Sequence, residues 1–277
     1  MTLRKRNTLL ILSIILTFLS FITIAVLFTT AYLKGQITPP ENALRPFPFL
    51  SRISHPFFQE NFTAVIISVF IFSFYVPLML LIIYRLFEKT QAMEIIFFAE
   101  FLLGCFLEQI RIFMPFSGLW QTYTFFLNVI GSVVLAGRML APLCLFFITV
   151  FTDQNQRQDF THNIFIALLL SVFTGVLMPL DPSNTTSTCT VVWSFSGLFL
   201  TIRAVLFIST IICFFYKARI KNSKETFKSL KGFILLSGGY NLLCTADCMT
   251  VLALGILLLV SGTYLFILSY HEAYLWR

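Results

Sequence analysis

Five ionised side chains stand inside apolar stretches of this sequence. They are Glu100, Glu108 and Arg111 in one stretch, Arg138 in the next, and Arg203 further along. A charge at the centre of a lipid-embedded helix costs about 2.5–3.5 kcal/mol on insertion scales, so such groups turn toward the bundle interior and find partners. Glu100 and Arg111 are eleven residues apart, about 20° around a helix. Glu108 and Arg111 are neighbours at i,i+3. With Glu108 and Arg111 toward the outer end of their helix, and Glu100, Arg138 and Arg203 near the middles of theirs, the spacing predicts a polar seam. Along it Glu100 is expected to bridge to Arg138 or Arg203. Such a seam either fixes helix register through salt bridges or holds a ligand. Three arginines against two glutamates leave one positive charge over, which favours an anion: a carboxylate, a phosphate or a lipid head group. Arginine does not release its proton, which argues against a proton pump.

Two further groups of residues could carry chemistry. Cys189, Cys244 and Cys248 lie near polar interruptions on one expected side of the membrane. There they stay free thiols, or Cys189 forms a disulfide with Cys244 or Cys248. Cys105, Cys144 and Cys213 lie within apolar runs and read as packing residues. Lys217, Arg219, Lys221, Lys224, Lys228 and Lys231 form a basic segment. It reads as a topology determinant that can also bind anionic lipid head groups, or dock a cytoplasmic partner. Asn184-Thr-Thr fits a glycosylation acceptor.

The sequence contains no H-E-x-x-H, G-x-S-x-G, P-loop or G-x-G-x-x-G pattern. His55, His162 and His271 belong to different inter-helix segments, so no metal centre, no cofactor and no enzymatic dyad is expected.

The elements that must position these residues follow from composition. Of 277 residues, 58% are hydrophobic and 11% charged, with mean hydropathy +0.89. Soluble domains average about 25% charged residues, so this chain needs lipid as its solvent. The 34 phenylalanines read chiefly as lipid-facing bulk. A net charge of +7 is spread over short segments between apolar runs and carries no nucleic-acid motif. The expected fold class is all-α: a polytopic membrane helix bundle of about eight transmembrane helices. Residues 1–33 are an N-terminal anchor, too long for a signal-peptide core and without an A-x-A site. Residues 34–61 are a Pro-rich external loop, and residues 62–277 form a seven-helix membrane domain. The run Gly232–Tyr270 spans 39 residues, about 58 Å as one helix and twice the hydrocarbon core, so it is expected to break at Cys244–Met249. Its first half begins at Gly232 or, earlier, near Phe227. With the N-terminus inside, thirteen Lys and Arg residues fall on the inner side and three on the outer, as the positive-inside rule requires.

The stretch Gly137-Arg-Met-Leu-Ala-Pro142-Leu-Cys-Leu-Phe-Phe-Ile-Thr-Val-Phe-Thr152 has a proline, an aromatic run and a polar exit. Residues 62–270 with this helix resemble the seven-helix membrane sensor region of bacterial histidine kinases and related signalling proteins. The resemblance implies a non-enzymatic sensor in a bacterial inner membrane, with its N-terminus cytoplasmic and its output carried by a separate cytoplasmic signalling protein. Its partners would be that protein and membrane lipids. It implies no particular ligand residues. The competing readings are a small transporter or permease using the same seam, and an assembly factor or lipid-handling enzyme.

Overall fold

The computed structural model describes residues 3–40, 44–46, 55–90, 93–116, 124–151, 160–221 and 224–275. Among these are eight α-helices: α1 Leu3–Leu33, α2 Phe62–Phe87, α3 Met93–Leu107, α4 Thr124–Phe151, α5 Phe160–Leu177, α6 Ser196–Lys221, α7 Lys224–Cys244 and α8 Met249–Leu275. Five of them (α1, α2, α4, α6 and α8) are long and apolar enough to cross a membrane. The chain is thus predominantly helical, with five helices suited to a membrane protein. α5 is apolar but shorter, α3 has 15 residues, and α7 opens on a Lys-rich turn.

Successive helices alternate between two ends. At the basic end, Arg6 of α1 donates to the carbonyls of Phe87 (2.7 Å), Glu88 (3.0 Å) and Thr90, so a guanidinium caps the negative end of α2. Lys228 pairs with Glu272 at 2.9 Å, and Phe87 meets His271 edge-on. The described residues of the basic segment lie on two helices. Lys217, Arg219 and Lys221 finish α6, and Lys224, Lys228 and Lys231 open α7. The helix starts well before Gly232 because its early residues pair along α8, as in Ser229–Ser269 at 2.7 Å.

The opposite end holds structure that apolar periodicity does not reveal. β1 (Leu180–Thr185) and β2 (Val191–Trp193) form an antiparallel hairpin. Its turn places Cys189 at φ 56°, a left-handed conformation uncommon for a residue with a Cβ. The bonds Thr186 N–H to Thr190 O and Cys189 N–H to Thr186 O hold it there. The described parts of the expected external loop, 34–40, 44–46 and 55–61, act as a strap. Thr38 N–H bonds Pro115 O, Leu44 bonds Thr185 O and accepts from Ser187, and Asn61 N–H bonds Asp247 O.

Two glycine contacts set helix register. α3 and α4 cross where a Cβ on Gly137 would stand 2.8 Å from Leu107 Cβ and 3.0 Å from Gly104 O. α7 and α8 approach so closely that a Cβ on Gly239 would meet the Leu259 backbone nitrogen at 2.2 Å.

Candidate functional site

The charged seam separates into two sites. The first is a knot at the hairpin end. α3 stops at Leu107 and tightens into a 3-10 turn, Glu108–Phe113, which carries Glu108 and Arg111 inward. Both are fully buried. The Glu108 carboxylate accepts from Arg138 Nε at 2.8 Å and Nη2 at 3.3 Å and is ion-paired with Arg111 Nε at 3.0 Å. The carbonyl of Cys244, at the C-terminus of α7, accepts from Arg111 Nη1 at 3.1 Å and Arg138 Nη2 at 3.0 Å. Arg111 also reaches Thr188 O and Ser68 Oγ, and Arg138 lies 5.6 Å from the Trp193 ring centre. One carboxylate and one helix terminus therefore share two guanidiniums, as buried charge requires.

The expected bridge from Glu100 to Arg138 or Arg203 does not form. The α3–α4 crossing explains why. The helices run antiparallel, and Leu107 meets Gly137. Glu108, one residue beyond, is therefore level with Arg138. Glu100, two turns back, falls beside Cys144 instead. Because the helix breaks after Leu107, the 20° relation between Glu100 and Arg111 is also lost. Arg203 joins neither acid. It donates to Asn241 Oδ1, and its guanidinium lies 5.6 Å from the Phe199 ring centre.

Beyond the expected set, Ser68 and Thr188 of the hairpin contact Arg111, and Arg45 of the strap pairs with buried Asp247 at 3.0 Å. Asp247 stood out in the sequence only as a helix break, and a contact 202 residues apart leaves no periodic signal. The short Thr- and Val-rich run Thr185–Trp193 was the available sign of the hairpin.

Cys189, Cys244 and Cys248 are buried free thiols, the first of the two alternatives, and the disulfide alternative is not formed. Burial pushes the Cys189 thiol up to about 12, against the pull of Arg111. On the hairpin's outer face, Asp181 accepts from Ser183 and Asn184. Those bonds hold its carboxyl below the usual range and commit the Asn184 amide to the turn.

The second site is a cavity of about 400 Å³. α1 is fastened at its base by Arg6. It is fastened again further along by Gln109 Nε2 donating to Ser20 Oγ at 3.0 Å and by the cluster Ile24, Val69 and Ile112. Between these points it passes over α2, α3 and α5, leaving space beside Ser13, Thr17, Ala99 and Ile164. Glu100 lines that space at 7% exposure. The Cys144 thiol, a weak donor, lies beside the carboxyl. Among the described residues neither carboxyl oxygen has another partner at hydrogen-bonding geometry.

No family model matches the chain, and no solved structure matches it. An uncharacterized protein of Treponema pallidum (strain Nichols) is 34% identical over 106 residues, covering 36% of this chain and 30% of that relative.

Proposed function

We propose that this chain is a receptor-like membrane module that binds a lipid-soluble ligand between its helices and reports occupancy at its basic end to a separate protein. The observation that carries this reading is the contrast between the two charged sites. The guanidinium excess that pointed to an anion is absorbed by the Cys244 and Thr188 carbonyls and by Asn241. Glu100 faces unfilled space. Pockets of about 300–1,000 Å³ with apolar walls and few polar groups are where small molecules bind. A ligand there would press on α1, the least enclosed of the helices long enough to cross a membrane, with 17% of its apolar window buried. A binding-induced shift between two packings would then reach Lys217–Lys231 through α3, α4 and α6, which pack in that order, with Lys217 donating to Thr149 O. A permease would need a polar route through the hairpin end, where the knot ties together α2, the turn after α3, α4, the hairpin and α7.

The test is a cavity-filling substitution, Ser13→Leu or Ala99→Leu, in lipid nanodiscs, with hydrogen exchange read along the chain. Exchange at residues 213–231 should change severalfold while the knot stays protected. Unchanged exchange at the basic end would remove the receptor reading. Solute uptake by proteoliposomes containing this chain alone would replace it with a permease.

A further inference from the structure

We infer that the Glu100 cavity takes a lipophilic amine that enters sideways from the bilayer between α1 and α5. This inference rests on the receptor reading above and names its ligand.

Four facts carry it. First, the carboxyl is 7% exposed, and apart from the weak Cys144 thiol beside it its oxygens have no hydrogen-bond partner among the described residues. A buried polar atom without a partner carries a desolvation cost that a donor can remove. An ammonium is the strongest such donor, because it supplies charge and hydrogen bonds together. Second, the walls around Glu100 are aliphatic: Leu10, Val76, Leu80, Leu103 and Leu168 among them. The ligand's body must therefore be apolar. Third, the cavity extends along α1 from Arg6 to Thr17, about 16 Å of helix rise, which accommodates an extended alkyl chain. Fourth, the cavity is bordered by α1, α2, α3 and α5. α1 packs on α2, α2 on α3, α3 on α4 and α4 on α5, and α3 also touches α5. The row curls around the space with α1 and α5 at its two ends, so the slot between those ends opens toward lipid. Arg6, at the basic end of the cavity, does not compete for an anionic head group, because its guanidinium is spent on the carbonyls of Phe87, Glu88 and Thr90.

The experiment uses the full chain in phosphatidylcholine nanodiscs. Dicyclohexylcarbodiimide reaches carboxyls from within lipid, and peptide mass mapping reads which glutamates it modifies. Competitors share one chain length and differ in head group: dodecylamine, dodecyltrimethylammonium, dodecanol and dodecanoate. Glu100 should be modified and Glu108 spared, and both cationic competitors should slow modification of Glu100. Dodecylamine should do so about tenfold more effectively than dodecanol or dodecanoate, the margin of one charge-assisted hydrogen bond. Ala99→Leu, which keeps the carboxyl and fills the space, should lower modification and abolish the amine effect. Equal protection by all four compounds, or best protection by dodecanoate, overturns the amine assignment and leaves the cavity as a ligand site. Failure to modify Glu100 without any competitor overturns both, since the carboxyl would then be closed to the bilayer.

Discussion

Glu108 and Glu100 sit on the same stretch of chain, two helical turns apart, and the structure treats them in opposite ways. Glu108 is surrounded by Arg111, Arg138 and the carbonyl terminus of α7. Glu100 has unfilled space and a thiol. Two buried glutamates thus yield a fastening in one place and a cavity wall in the other. The determinant is helix register. Buried charge in a membrane protein points to function only after its partners have been accounted for, because a fully paired group is already explained by architecture.

The largest expected effect tests the fastening. Glu108→Ala leaves two buried guanidiniums sharing only carbonyl partners, and should cost about 3–5 kcal/mol in unfolding measurements. A loss under about 1 kcal/mol would mean the carbonyls alone suffice. The next test sharpens the comparison. Arg138→Ala combined with Glu108→Ala should depart from additivity by about 0.5–3 kcal/mol. Arg138→Ala with Glu100→Ala should add within about 0.5 kcal/mol. Strong coupling in the second cycle would restore the bridge expected from the seam. Gly239→Ala forces a methyl against the Leu259 backbone and should cost about 1–3 kcal/mol; an unchanged Tm would show that α7 and α8 can separate freely. Glu100→Gln should change stability by less than about 1 kcal/mol, since no native pairing is lost. A loss comparable to that of Glu108→Ala would erase the distinction between the two sites. The smallest effect is kinetic: Cys189, whose thiol is pushed up to about 12, carries little thiolate at pH 8 and should resist a water-soluble maleimide until the protein is unfolded.

Much of the architecture was readable in the residues. The break at Cys244–Met249 lies where the length of hydrocarbon demanded it, and the apolar runs are helices. Glu108, Arg111 and Arg138 were recognised as one polar group because intramembrane charge is rare enough to stand out. The partner assignment failed at Glu100, since register between helices depends on which small residues meet. Gly104 and Gly137 look like any other glycines until α3 and α4 are docked. The strap and hairpin were missed for a different reason. Their bonds join Leu44 to Thr185 and Arg45 to Asp247, and such long-range pairings leave no repeat in sequence.

The glycine contact between α7 and α8 has a mechanical consequence. Where backbone touches backbone, no side chain remains to slide, and the two rods behave as one stiff beam from Lys228–Glu272 to Cys244. Such a beam can serve as a fixed reference for α1, which is held at Arg6 and again near Ser20 and Ile24 and is little enclosed between them.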